Sequence, residues 1–334
     1  VKRSRFDFFD FPFFMKYFFA SLVFLCPNFS FSWGFQAHQH INRTAVFCLP
    51  PEMFSFYKFH LDHVTTHAVD PDKRRYAVEG EASCHYIDLD RYGLNPFDSI
   101  PEKWNDAVLK YTEDSLMAHG IVPWHIERVY FRLLQAFKDR DVYRILRYSA
   151  DLGHYVGDAH VPLHCTSNYN GQLTNQHGIH GLWESRIPEI SMGKYELMPG
   201  RCVFISNPLK TAWATVRASY SALDSVLGFE RQLTEKIDVD SKFTYELRGA
   251  SAVKVYASGF AIAYEQMLSG MVERRMESSA YLTASLWYTA WVMSGQPDLD
   301  SLLDWVPNSE QVERQQKELE LLQKRTLQVP EHDH

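Results

Sequence analysis

The residues with the most chemistry in this chain lie in the stretch HYVGDAHVPLH, His154 to His164. His154 and Asp158 are four residues apart, which on a helix puts an imidazole and a carboxylate one turn apart on the same face. His164 follows beyond Pro162, a residue that ends or kinks a helix. The segment HGLWE adds a second pair at the same spacing, His180 and Glu184. Either pair alone is a weak signal, since His/acid pairs at this spacing also occur as surface hydrogen bonds. Two pairs within 31 residues, joined by a further histidine, point to a metal centre. Nitrogen and oxygen donors without thiolate suit catalytic zinc better than structural zinc.

The wider histidine distribution agrees. Most of the 15 histidines fall into two groups. One holds His60, His63, His67 and His85; the other holds His154, His160, His164, His177 and His180. Further toward the start, SFSWGFQAHQHIN places Trp33 directly after a Ser-Phe-Ser triplet, with His38 five residues on. The preceding segment has the grammar of a secretory signal. It has Met15, Lys16, an apolar run from Tyr17 to Cys26, and small residues at Ser30 and Ser32. Residues 1–32 are expected to be removed, with the true start at Met15, which makes the protein secreted or periplasmic. Beyond Cys26 there are four cysteines, Cys48, Cys84, Cys165 and Cys202. An oxidising compartment permits them to pair, but their spacing fixes no pairing.

The elements that must position these groups read as helices. HIERVYFRLLQAF puts Ile126, Tyr130, Leu133, Leu134 and Phe137 on one face. TAWATVRASYSALDSVLGFERQL and SAVKVYASGFAIAYEQMLSGMVERRM show helical periodicity, and residues 278–294 suggest a buried helix. Turn formers at 93–101, 168–178 and 188–208 mark loops. Residues 309–324 read as a solvated helix within a charged tail, 309–334. The expected fold is an all-α, multi-helix single domain over residues 33–308. Apolar residues make up 46% of the 334, enough for one large core. The net charge of −7 supplies no bulk attraction to nucleic acid or anionic membranes. No obligate protein partner is evident.

Taken in order, Trp-x4-His, an Asp, a His some fifteen residues later, His-x3-Asp-x5-His and His-x3-Glu make a composite motif from Trp33 to Glu184. It resembles the trinuclear zinc phosphoesterases, which comprise the bacterial zinc-dependent phospholipases C and the fungal and plant single-strand-specific nucleases. The resemblance implies that fold and three zinc ions. Trp33, through its own amine and carbonyl, and His38 would hold one ion, sharing Asp158 as a bridge. Asp70, His85, His154 and Asp158 would hold a second. His164, His180 and Glu184 would hold the third. Asp70 is taken in preference to Asp72 because it stands fifteen residues before His85. The nucleases carry an Arg three residues after this Asp. Here Lys73 occupies that place, followed by Arg74 and Arg75, and Lys73 is taken as the phosphate-contacting cation. Asp70 and Asp158 are the expected catalytic carboxylates.

The implied reaction is hydrolysis of a phosphodiester by zinc-activated water. The substrate class divides the family. Glu184 and the short interval from His164 to His180 resemble the phospholipases. HYID, His85 to Asp88, resembles the nucleases, with Tyr86 and Asp88 as base-contacting residues. The sequence leans toward a phospholipase-C-like esterase, with a single-strand-specific nuclease or 3'-nucleotidase as the alternative. A non-catalytic zinc-binding protein of the same fold is the rival of another class. A metalloprotease is disfavoured, because no His-Glu-x-x-His occurs. Cleavage after Ser32 predicts a mature amino terminus at Trp33, which intact mass and N-terminal sequencing check. A different terminus, or activity unaffected by an extra Met before Trp33, contradicts ligation by its amine.

Overall fold

A computed structural model describes residues 33–248 and 251–324. The expected signal segment and the last ten residues, which include the terminal His-Asp-His, lie outside the described residues. The described chain is mostly helical, with one two-stranded hairpin. The elements that build the site are α1 (Trp33–Val46), α2 (Leu61–Thr66), α3 (Asp70–Arg74), α4 (Val122–Asp139) and α5 (Val142–Ala159). They are followed by α6 (Pro208–Lys236), the strands β1 (Phe243–Arg248) and β2 (Ser251–Tyr256), α7 (Ser258–Leu268), α8 (Met271–Met293) and α9 (Ser309–Lys324). No described helix is long and apolar enough to cross a membrane.

The apolar face expected on α4 is the buried one: Ile126, Tyr130, Leu133 and Phe137 all face the core. α4 packs along α5, and α8 lies against both and against α1. α5 starts where Asp141 caps it, its carboxylate accepting the Arg144 amide at 3.2 Å. It ends before Pro162, as the sequence requires. Every residue from Ala150 to Ala159 is buried, so its second half is interior.

Two apolar clusters make the core. One centres on α4, α5 and α8; the other joins α6, α7 and the 179–187 segment. α1 and the end of α5 run along the seam. Ala45 and Val46 belong to the first cluster, and Ala37 and Ile41 to the second; Ala159 belongs to the first and Val161 to the second. The histidines and carboxylates of interest lie on this seam.

One helical expectation fails. Ser251–Tyr256 is a strand, paired antiparallel with Phe243–Arg248 so that Val253 faces Glu246 and Val255 faces Thr244. In SAVKVY the β-branched Val253 and Val255 flank Lys254, a period of two that outweighs the helical pattern downstream. The helix resumes only at Ser258.

The close approach of α1 to α5 depends on two glycines one turn apart. A methyl group at Gly153 would sit 1.8 Å from Asn42 Oδ1, and one at Gly157 would sit 2.7 Å from His38 Nδ1. Asn42 is fully buried and donates from Nδ2 to the carbonyls of Val64 at 3.0 Å and Ala150 at 3.1 Å. Gly153→Ala is therefore expected to destabilise the metal-free protein by about 2–3 kcal/mol, through overpacking and loss of these hydrogen bonds. Urea denaturation in chelator measures it, and an unchanged midpoint contradicts this account of the helix contact.

Candidate metal centre

Six pieces of chain deliver the site. α1 brings His38, α3 brings Asp72, and the turn after Ala82–Cys84 brings His85. The last turns of α5 bring His154 and Asp158. The short 3-10 turn Pro162–Cys165 brings His164, and the helical stretch 179–191 brings His180 and Glu184. This stretch widens to a π-turn over Leu182–Arg186, a local form frequent at functional sites. Trp183 anchors it by packing in the second cluster.

Three buried groups of potential ligands result: His38, His154 and Asp158; Asp72, His85 and His154; and His164, His180 and Glu184. Donors bound to one tetrahedral zinc at 2.0–2.2 Å lie about 3.3 Å apart. In the third group, His180 Nε2 is 3.0 Å from Glu184 Oε2 and His164 Nε2 is 3.1 Å from Glu184 Oε1. The two imidazole nitrogens are 3.2 Å apart. In the second, His85 Nδ1 and His154 Nε2 are 3.0 Å apart, and both lie within 3.7 Å of Asp72 Oδ1.

Asp158 joins the first two groups. Its Oδ2 is 2.9 Å from His85 Nδ1 and 3.2 Å from His154 Nε2. Its Oδ1 faces the other way, 3.3 Å from His38 Nε2. One carboxylate thus presents one oxygen to each of two ligand sets. A single imidazole nitrogen serves one ion, so His154 belongs to one set at a time. Asp158 is the residue able to serve two. The imidazoles are also oriented from behind. His154 donates from Nδ1 to the Ala68 carbonyl at 2.8 Å, and His164 donates from Nδ1 to the His85 carbonyl at 2.7 Å. Both present Nε2 to the centre. These residues fit divalent metal, with buried nitrogen and oxygen donors at ligand separations.

The structure corrects two sequence assignments. Asp70 does not face this centre: its carboxylate is 2.6 Å from His67 Nδ1 and accepts from Lys73 Nζ at 2.7 Å. Asp72 takes the place beside His85 and His154. Lys73, spent on Asp70 and 31% exposed in its side chain, is not the cation at the site. The cation there is Arg75, which is 3% exposed and close enough for its charge to act on His85 and Tyr86. The signal was present in the sequence. Asp70 and Lys73 are three apart and pair with each other, while Asp72 and Arg75 share the opposite face. Trp33 opens α1, five residues before His38, and its side chain lies outside the described part of the helix. Tyr86 and Asp88 follow His85 and are 7% and 6% exposed. The Asp88 amide donates to the His119 carbonyl at 2.7 Å. Burial, then Asp88, pushes the Tyr86 phenol up to about 12.

Arg74 points away from the centre and braces it. It lies 2.9 Å from Asp151 Oδ2 and 3.1 Å from Glu81 Oε1, and donates to the Tyr155 hydroxyl at 3.4 Å. Tyr155 donates in turn to Glu81, and its ring packs edge-on to His85 at 5.4 Å between centroids. α9 is not wholly solvated. Its Glu318 lies 2.7 Å from Arg147 Nη2 and accepts from the Tyr143 hydroxyl at 3.0 Å.

Charge at the centre is tightly coupled. Burial alone would lower the His154 pKa, but Asp158 and then Asp72 outweigh it and hold it at about 9. Burial is likewise outweighed at His164 by Glu184 and Asp158, which hold it at about 9. Against a burial penalty, His154 and His164 keep Asp158 well below the usual carboxylate range; His180 and His164 do the same for Glu184. Without metal, His154 and His164 therefore carry protons at neutral pH. Their raised values stabilise the metal-free fold below about 6.5, a contribution that fades as pH rises through about 9.

No protein-family model matches the chain, and no curated protein matches it either.

Two outcomes follow from this geometry. Asp72→Asn is expected to lose bound metal after dialysis while Asp70→Asn keeps it, as read by elemental analysis. Equal metal content in the two variants contradicts the assignment of Asp72. Metal binding near pH 7 is expected to displace about two protons, one each from His154 and His164, with apparent affinity rising as pH rises through about 9. Calorimetry in buffers of different ionisation heat measures this. Binding without proton release contradicts it.

Proposed function

We propose that the protein is a secreted or periplasmic zinc-dependent hydrolase of phosphodiesters that holds three zinc ions. The observation that supports this reading most is the two-sided Asp158, with the His164–His180–Glu184 group beside it. Zinc held there would supply a water acidic enough to ionise near pH 7 and charge to neutralise phosphoryl oxygens. The chain's own residues hold and aim the site. His38, Asp72, His85, His154 and Asp158 would hold the ions nearest the bridge, with Trp33 contributing its amine. His164, His180 and Glu184 would hold the third. Arg75 is buried beside His85 and, being guanidinium, suits a phosphate oxygen. Its place deep in the site costs no reorganisation when charge develops on the phosphoryl group.

The substrate we favour is single-stranded nucleic acid or a nucleotide, in place of the phospholipid to which the sequence leans. The correction from Asp70 to Asp72 supports this choice, because the residue three positions after Asp72 is Arg75. An Asp followed three residues later by Arg is the pattern of the single-strand-specific nucleases, and it accompanies His85-Tyr86-Ile87-Asp88. Tyr86 offers a ring for stacking and Asp88 an acceptor for a base edge. Glu184 and the short interval from His164 to His180 remain the features that resemble the phospholipases.

The test assays the zinc-loaded protein in parallel on single-stranded DNA, RNA, a 3'-nucleotide and phosphatidylcholine vesicles. Hydrolysis of the nucleic acid or nucleotide, abolished by chelator, is the expected result. Hydrolysis of phosphatidylcholine alone contradicts the substrate class, and no hydrolysis by the metal-loaded protein contradicts the activity. Arg75→Ala is expected to lower kcat/KM about a hundredfold with metal content unchanged.

A further inference from the structure

We propose that Cys48 and Cys202 are a disulfide-forming pair that cross-links the end of α1 to the irregular segment 195–207. The sequence leaves the pairing of the four cysteines open, and in this structure all four are thiols. The fold brings two of them together across more than 150 residues. The Cys202 amide donates to the Cys48 carbonyl at 3.0 Å. A backbone contact of that length sets the α-carbons about 5–6 Å apart, the separation that a disulfide spans. The two sulfurs are near enough to act on each other. Burial, and after it the Cys202 thiol, pushes the Cys48 thiol up to about 12.

The other two described cysteines stand on the short turns Ala82–Cys84 and Pro162–Cys165, and like Cys48, whose Sγ donates to the Thr44 carbonyl at 3.4 Å, each thiol meets a backbone carbonyl. Cys84 Sγ donates to the Gly80 carbonyl at 3.5 Å. Cys165 Sγ is directed at the carbonyls of Val161 at 3.9 Å and Val216 at 3.7 Å. Cys48 is buried with them, whereas Cys202 is partly exposed. Cys26 lies outside the described residues.

The segment that would be tied down has no regular structure of its own from residue 195 to residue 207. Its amides lean on α8, Val203 N donating to Ser285 Oγ at 3.2 Å and Ile205 N to Thr289 Oγ1 at 2.8 Å. A covalent bond to the end of α1, the helix that carries His38, would add to the hydrogen bonds and the packing of Ile205 that now hold this strap.

The oxidant is a small-molecule disulfide such as glutathione disulfide. The more exposed Cys202 thiolate attacks one of its sulfurs, forming a mixed disulfide and releasing one glutathione thiolate. The Cys48 thiolate then attacks the Cys202 sulfur and releases the second. The cysteines lose two protons and two electrons, and the oxidant is reduced to two thiols. The protein becomes lighter by two hydrogens.

The test incubates the native full chain with glutathione disulfide, blocks residual thiols, and maps peptides without reduction. A linked pair of peptides containing Cys48 and Cys202 is expected, lost in Cys48→Ser and in Cys202→Ser and retained in Cys84→Ser and Cys165→Ser. Linkage of either residue to Cys84 or Cys165 overturns the proposal. So does full alkylation of both Cys48 and Cys202 after oxidation under native conditions.

Discussion

Asp158 carries an ionised carboxylate at 2% exposure, in the interior half of α5. Removing a lone carboxylate from water costs several kcal/mol even after a protein relaxes around it. That cost is tolerable only where each oxygen meets compensating charge. Here one oxygen faces His85 and His154 while the other faces His38, and protonated His154 and His164 hold the carboxylate charged. Most of the architecture follows from satisfying this one group. α1 must approach closely enough for His38 to reach it, which requires Gly153 and Gly157. The turn carrying His85 must be braced on its far side, which Tyr155, Glu81 and Arg74 accomplish. α5 must stop promptly, so that His164 returns over the same carboxylate.

The same constraint links fold to chemistry. Protons on His154 and His164 neutralise the buried acids in the metal-free state, and divalent ions would do so in a loaded state. The two states compete for the same nitrogens, so loading couples to pH and to folding together. A core built only for stability would replace such a cluster with apolar side chains, which is often neutral or stabilising. The polar seam between two apolar clusters is what the proposed metal site would require of this fold.

Much of this arrangement was legible in the sequence because helices have a fixed period. His154 with Asp158 and His180 with Glu184 are one turn apart whatever surrounds them, and the Ile126–Phe137 face of α4 declares itself the same way. What was not legible passes through irregular chain. Between α3 and His85 the backbone runs through turns, so a count of fifteen residues could not place Asp70 over Asp72. Local pairing would have served better, since Asp70 and Lys73 satisfy each other and leave Asp72 and Arg75 for the interior. The hairpin escapes the sequence pattern because the short alternation of Ser251–Tyr256 sits inside a longer helical one. The charged α9 was read as solvated because the sequence does not show that Arg147 and Tyr143 wait for Glu318.

The central claim is that Asp158 lies between two metal ions. Crystals of the zinc-loaded protein, measured on both sides of the zinc absorption edge, address it most directly. The account predicts anomalous peaks on either side of the Asp158 carboxylate, one near His38 and one among Asp72, His85 and His154. A third should lie among His164, His180 and Glu184. A map with no peak on one side of Asp158, where its oxygen instead accepts a hydrogen bond from a protonated imidazole, would contradict it.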